Sequence, residues 1–285
     1  MMEMILMDSN WPICELRDEM GYTVLHHAVL VSIDGKVEEI IRIAKQKDGL
    51  TSQDIEKWVN AITYCHEWTA LHFCSFSGHL NSAYSLIEHR ADVFAINKAG
   101  LNMLHVAAQG DAGATLYLFW LIGLDINQTD NRGSTPLIWA CYSESETAVD
   151  YILNFAGPDL NIQDVDGNAA IHFAVKTAEN MESTRCIRAL LMYGAEYNVQ
   201  NKKGHLPKDL TAEYYDESNA SRISKMFDGA DKLKLKFIKS EFENITQEAH
   251  RRNSVLETNG PALRLVKINK SKRTLREVKR NYTTM

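Results

Sequence analysis

The chain has 285 residues, of which 45% are hydrophobic and 24% charged, a balance that is ordinary for a globular protein. It contains no apolar run of about 18 residues, and its N-terminus has no basic region followed by a long apolar one, so neither a membrane-spanning helix nor a signal peptide is predicted. The five cysteines are an odd number without a C-x-x-C pair, which argues against a disulfide framework or a zinc site and is typical of reduced thiols in a cytosolic protein.

A six-residue motif recurs along the chain. It reads TALHFC from Thr69, NMLHVA from Asn102, TPLIWA from Thr135 and AAIHFA from Ala169, with an earlier copy, TVLHHA, from Thr23. The last four copies are separated by 33, 33 and 34 residues. Self-similarity at such a period predicts a solenoid of stacked repeats.

Each copy of the motif is predicted to begin a helix. Thr or Asn at its first position can cap that helix, and Pro136 lies in the first turn, where a missing N–H has no cost. Gly78 and Gly110 separate the first helix of a repeat from the second, and a glycine after the second helix suits a left-handed residue. Arg90 occupies one of these last positions, where we expect about 1 kcal/mol of local strain.

An insertion interrupts the regular spacing near the N-terminus. Leu25 and Leu71, at equivalent motif positions, are 46 residues apart, so extra chain must be accommodated at about residues 45–66. Trp58 and Ile62 indicate that this insertion packs back as a short helix.

The motif and its period resemble the T-P-L-H-x-A signature of ankyrin repeats, over roughly residues 18–210. The resemblance implies an all-α ankyrin-repeat solenoid of about five to six helix-turn-helix repeats. One such repeat cannot bury its own apolar face, so stability comes from stacking.

Three segments are similar to the ankyrin module of ankyrin-bearing DHHC palmitoyltransferases: WTALHF from Trp68, LNMLHVAAQG from Leu101 and GSTPL from Gly133. In that family the array recruits substrate proteins, and a membrane-embedded, cysteine-rich domain transfers the acyl group. In some members an asparagine and a tryptophan hold a short peptide. The matching positions here are Val31 and Phe73, so the same peptide specificity is not expected.

The motif histidines invite a metal or catalytic interpretation, which we do not favour. Stacked helices lie about 8–10 Å apart, whereas zinc ligands lie about 2 Å from one ion. In ankyrin repeats these histidines bond to turn backbones of the same and adjacent repeats. We therefore expect no metal, no cofactor and no catalytic residues in the array.

The residue after each motif histidine is the candidate for partner binding. Down the stack this position is occupied by Phe73, Val106, Trp139 and Phe173, which we expect beside the concave face. Aromatic residues are common binding anchors, so the three aromatics could form a ladder for a partner peptide. The alternative is that they only pack between neighbouring inner helices.

A basic tail follows the array. Residues 1–210 carry 15 Lys+Arg and 27 Asp+Glu, whereas residues 211–285 carry 16 and 10. Spaced apolar residues predict an amphipathic capping helix within 221–250. The last stretch is interpreted either as a solvated, disordered tail or as a weak contact to an anionic membrane surface. Nucleic acid is not expected, because aromatic residues are sparse there. The basic cluster consists of Lys270, Lys272, Arg273, Arg276, Lys279 and Arg280.

The sequence thus predicts a non-catalytic ankyrin adaptor, cytoplasmic or membrane-associated, that binds a segment of a partner protein on its concave face. The alternative is the substrate-recruiting portion of a DHHC palmitoyltransferase without its transmembrane catalytic domain. The sequence does not name the partner, because surfaces differ among proteins that share one scaffold.

Overall fold

The computed structural model describes residues 11–31, 35–178, 183–211 and 217–233. In these ranges the regular structure is helical, and strand-like pairing is limited to two isolated bridges, Arg17 with Thr23 and Ile62 with Thr69. The prediction of an all-α fold is confirmed.

Five pairs of helices form the array, each with an inner helix that begins at the motif and an outer helix that follows it. In chain order the pairs are α1 (Val24–Leu30) with α2 (Lys36–Asp48), α4 (Ala70–Ser77) with α5 (Leu80–Glu88), α6 (Met103–Gln109) with α7 (Gly113–Ile122), α8 (Pro136–Tyr142) with α9 (Glu146–Tyr151), and α10 (Ala170–Thr177) with α11 (Arg185–Met192). The remaining elements are a 3-10 turn at Ile13–Glu15, α3 (Ser52–Val59), a π-helical turn at Ile152–Ala156 that extends α9, a 3-10 turn at Pro207–Leu210, and α12 (Glu217–Leu233).

The inner helices begin as the motif predicts. The side chains of Thr69, Asn102 and Thr135 each accept a hydrogen bond from a backbone N–H of the first helical turn, and Pro136 lies in the first turn of α8. After the outer helices, Gly123 and Gly194 have positive φ angles, as glycine there permits. Arg90 adopts the same left-handed conformation with φ 69°, so the conformation expected at this position is confirmed.

Stacking joins all repeats through one continuous core. Each inner helix packs against the inner helices of the neighbouring repeats, and the outer helices also contact one another in sequence. The motif leucines Leu25, Leu71, Leu104 and Leu137 are almost completely buried, together with small residues such as Ala107 and Cys74. Small side chains at these positions let adjacent helices approach closely.

The insertion contains a short helix, as predicted, but only one of the two residues that indicated it is buried. Trp58 at the end of α3 is 3% exposed and belongs to the core, near Ile55. The interpretation of Ile62 was wrong: it follows the helix, pairs with Thr69 in an isolated bridge, and is 44% exposed. In extended chain, successive side chains point to opposite faces, and the side chain of Ile62 points outward.

The C-terminal end of the described chain covers the last repeat. At the position where a sixth inner helix would follow, the chain forms only the 3-10 turn Pro207–Leu210. Helix α12 begins at Glu217, earlier than the predicted capping segment, and buries Ile223 and Phe227. The ring of Phe227 lies 5.9 Å from that of Tyr197. The rest of the predicted segment lies outside the described residues.

Candidate functional site

The motif histidines connect successive repeats instead of forming a reactive centre. In His26, His72 and His105, Nδ1 lies within hydrogen-bond distance of the backbone N–H at the helix cap, which belongs to Thr23, Thr69 or Asn102. Their Nε2 atoms lie 3.1, 3.4 and 3.1 Å from carbonyl oxygens of the following repeat, at Trp68, Leu101 and Ser134. The expected bonds to turn backbones are therefore confirmed for these three.

This arrangement holds the histidines in the neutral form. Burial lowers the pKa of His26, His72 and His105 to about 4, against the weaker opposing effect of the neighbouring backbone groups. Within the described ranges, no group of three or more His, Cys, Asp or Glu side chains is placed to hold a metal ion.

The proposed ladder positions differ in their exposure. Phe73, Trp139 and Phe173 are half-buried, whereas Val106 is completely buried and its side chain is not available to a partner. The aromatic residues are therefore divided into two groups, one on each side of α6. Val31, which takes the place of the asparagine in the resemblance above, is 67% exposed at the end of α1.

The first aromatic group surrounds Phe73 near the N-terminal end of the array. The ring of Trp68 lies 4.8 Å from that of Phe73, and the ring of Tyr22 lies 5.6 Å from it on another repeat. Phe76, one helical turn later, is 6.4 Å from Trp68 and remains 39% exposed. Phe73 thus packs between repeats while its neighbours reach solvent.

The second aromatic group lies on α8 and α10. Tyr142 stands between Trp139 and Phe173, with ring centroids 5.7 and 5.9 Å apart in edge-to-face geometry. The indole N–H of Trp139 donates to Asp130 Oδ2 at 2.9 Å, which fixes the ring orientation. Tyr142 itself is 53% exposed.

A groove of about 370 Å³ opens beside this second group. Its floor is formed by the inner helices, and its walls by the turns that precede them, where Arg132 pairs with Asp166 at 3.0 Å. A neighbouring pocket of about 330 Å³ continues past Phe173 and Lys176 toward the turn at Asn201–His205. This inner-helix surface therefore offers an aromatic floor with charged walls.

Sequence reasoning missed a second column of residues on this surface, most of which are exposed. They lie three positions after the ladder residues, one helical turn further along the same inner helices. The sequence contained a signal for this column, because residues three apart on a helix share a face. The column positions can therefore be counted directly from the ladder residues. The column consists of Phe76, Gln109, Tyr142 and Lys176, with Leu30 at the equivalent position of α1. Gln109 is partly buried and the others are exposed.

The basic cluster predicted to contact anions or membranes lies outside the described residues. This applies to Lys270, Lys272, Arg273, Arg276, Lys279 and Arg280 alike. Their role remains a prediction from charge alone.

Comparison with known proteins defines the class to which this fold belongs. The family model of ankyrin repeats in three copies matches residues 104–201, and the single ankyrin repeat matches residues 66–98. With the five stacked helical pairs, these matches show that the chain contains an ankyrin-repeat array. Such an array is a protein-interaction module without catalytic function of its own.

The relatives include several palmitoyltransferases. The chain is 28% identical to palmitoyltransferase ZDHHC13 of Homo sapiens over 147 residues, which are 51% of this chain and 23% of that protein. It is 31% identical to palmitoyltransferase ZDHHC17 of Danio rerio over 180 residues, 61% of this chain and 28% of that protein. Neurogenic locus notch homolog protein 1 of Xenopus tropicalis matches at 31% over 140 residues, 49% of this chain and 5% of the relative.

The similarity to palmitoyltransferases that the sequence indicated is thus confirmed. The chain spans about a quarter of the length of the palmitoyltransferases it matches. Among the described helices, none has the length and apolar character needed to cross a bilayer.

Proposed function

We propose that this chain is an adaptor that binds an extended segment of a partner protein on the surface formed by its inner helices. The observation that carries this proposal is the column of large apolar side chains left exposed at one helical position. Leu30, Phe76 and Tyr142 are 44%, 39% and 53% exposed, although the aromatic residues one turn earlier on α4 and α8 are packed. Exposed apolar groups that recur along one face are typical of an interaction site.

The half-buried aromatics have a supporting role in this proposal. Trp139 and Phe173 hold Tyr142 in place through ring contacts. Phe73 contacts the ring of Trp68, which in turn contacts Phe76. A rigid aromatic floor loses little side-chain entropy when a partner binds. Tyr142 is then the anchor that a partner touches first, and Trp139 orients it.

The proposal is tested with a displayed library of random peptides long enough to span two repeats. Peptides are selected on the whole chain, and their affinities are measured by calorimetry. Tyr142→Ala should weaken binding by about 2 kcal/mol if Tyr142 is an anchor. The matched control is Met192→Ala, because Met192 is 42% exposed on an outer helix, away from the inner-helix surface.

Equal affinity of wild type and Tyr142→Ala for every selected peptide would refute the inner-helix surface as the binding site. Thermal melts of both variants show whether the fold is intact. Because Tyr142 is largely exposed, its truncation should change the melting temperature little.

A second function is favoured by the similarity to ZDHHC13 and ZDHHC17. In it, the array recruits substrate proteins for a palmitoyltransferase whose catalytic domain lies elsewhere on the same polypeptide. The test is to sequence transcripts beyond the codon for Met285. Transmembrane helices followed by a DHHC cysteine-rich domain would support recruitment for a transferase, and a stop codon would support the free adaptor.

A further inference from the structure

The pocket beyond Phe173 differs from the other histidine junctions of the array in one respect. At the three earlier junctions, the motif histidine reaches a carbonyl oxygen of the next repeat. The equivalent His172 is 1% exposed and lines the pocket, but its Nε2 atom makes no hydrogen bond to a described residue. Burial lowers the pKa of His172, and the backbone of His205 and Val199 opposes this shift without completing a hydrogen bond to Nε2. The segment at the equivalent position of the next repeat forms only the 3-10 turn Pro207–Leu210, so this junction lacks a full inner helix on its far side.

The tautomer of His172 follows from its other nitrogen. The backbone N–H of Ala169 donates to His172 Nδ1 at 3.1 Å, so Nδ1 is an acceptor and carries no proton. The neutral ring then carries its proton on Nε2. A buried N–H without an acceptor is destabilising, and an acceptor that enters the pocket would remove this penalty.

The charges around the pocket indicate which acceptor fits. Lys176, Lys202 and Lys203 line it and are exposed. Among the described residues that line it, Asp166 is the one acidic side chain, and Arg132 pairs with it at 3.0 Å. Among the described side chains that line the pocket, the balance of charge is therefore positive.

We infer that this pocket binds the carboxylate of an aspartate or glutamate in the partner segment, next to a large apolar residue that contacts Tyr142 and Phe173. The His172 Nε2–H donates to one carboxylate oxygen, and the lysines surround the other. The inference rests on the proposed function, because the same segment occupies both the aromatic groove and the pocket. It adds an acidic residue to the definition of the partner.

The experiment uses the peptides selected on the whole chain that lose affinity for Tyr142→Ala. An Asp or Glu should recur among them next to a large apolar residue. Changing that acid to the matching amide in the peptide should weaken binding about tenfold, as expected for a lost charge-assisted hydrogen bond. In nitrogen-detected NMR, the Nε2–H signal of His172 should shift with the acidic peptide and not with its amide counterpart.

Charge variants of the chain complete the test. Lys203→Glu should weaken the acidic peptide several-fold more than the amide peptide. Lys208→Glu is the control, because Lys208 is exposed on the neighbouring 3-10 turn, does not line the pocket, and has the same change of charge. Equal weakening by both variants would reduce the effect to general electrostatics and overturn the inference.

The two proposals fail in different ways. Peptides that depend on Tyr142 but bind equally well with the acid or the amide would overturn the acidic subsite and leave the proposed function standing. A library that yields no Tyr142-dependent peptide would overturn both.

Discussion

Buried histidines act in this protein as connections between repeats. His26, His72 and His105 each occupy a position where one ring nitrogen meets the helix cap and the other meets the next repeat. The fourth repeat has Ile138 at this position, where an apolar side chain contributes packing in place of the hydrogen bonds. The polar contacts of the three histidines are satisfied only while the imidazoles are neutral, which makes them sensitive to acid.

The first prediction is therefore a loss of stability in mild acid. The pKa of these three histidines is about 4 in the folded chain, against 6.5 for an unperturbed histidine, the value expected in the unfolded chain. Because the folded pKa is depressed, the stabilising contribution is complete above pH 6.5 and is lost as the pH falls from 6.5 toward 4. Each histidine contributes a slope of about 1.4 kcal/mol per pH unit in that window.

The measurement is urea unfolding, followed by circular dichroism, at several values of pH between 7 and 4.5. His105→Gln should be less stable at pH 7 but should show a shallower dependence on pH. His66→Gln is the control, because His66 is exposed in a turn. If the free energy of unfolding fell with the same slope in wild type and His105→Gln, protonation of His105 would not contribute to the loss of stability in acid.

At the scale of elements, the spacing between neighbouring inner helices depends on a residue without a side chain. Gly110 follows α6, and a Cβ atom built there would lie 2.0 Å from the backbone oxygen of Phe76 on α4. Its φ angle is negative, so the requirement for glycine comes from the close approach of two backbones and not from the local conformation. The sequence marked Gly110 only as a turn.

The second prediction is that Gly110→Ala destabilises the array by about 2–3 kcal/mol, because the added methyl group must push α4 and α6 apart. Gly229→Ala adds the same atoms within α12, where no described atom outside its own helix lies within 4 Å. Alanine there should stabilise the chain by up to about 1 kcal/mol. Thermal melts of the two variants compare the effects directly, and an unchanged melting temperature for Gly110→Ala would show that the helices are not so close.

The insertion shows how an added element can extend the core. Helix α3 brings Ile55 and Trp58 under the 3-10 turn at Ile13–Glu15, whose Ile13 is completely buried. The backbone N–H of Ile13 donates to Asp48 Oδ2 at 2.7 Å, at the end of α2. The first repeat is thus covered by chain that precedes it and chain inserted after it.

At the scale of the whole molecule, charge is distributed unevenly along the chain. Residues 1–210 are acidic in balance, and residues 261–285 contain eight Lys+Arg and one acidic residue. Two regions of opposite charge suit two different partners. In the proposed function the array offers its inner-helix surface to a protein. For the tail, we propose that it offers positive charge to an anionic surface.

The third prediction concerns this tail. Co-sedimentation with vesicles at low salt should show that the whole chain prefers acidic over neutral lipid, and that a chain ending at residue 260 does not. The binding should weaken at physiological salt, where the Debye length is about 8 Å. Equal binding by both chains would place the contact on the array, and absence of binding at low salt would favour the solvated tail.

The sequence by itself determined the repeat, its period and the role of its recurring residues. Thr69, Asn102 and Thr135 could be assigned as caps and Leu104 or Leu137 as core, because these roles depend on neighbours within one repeat. The left-handed conformation at Arg90 was predictable for the same reason.

Tertiary structure alone decided which of the equivalent positions face solvent. Val106 and Trp139 occupy the same place in successive repeats, yet one is completely buried and the other is half-buried. The exposure of a side chain depends on neighbours from repeats about 33 residues away, which the local pattern does not contain. The same reason applies to Ile62 and to the unsatisfied Nε2–H of His172, because the surroundings of both side chains are set by residues outside their own motif.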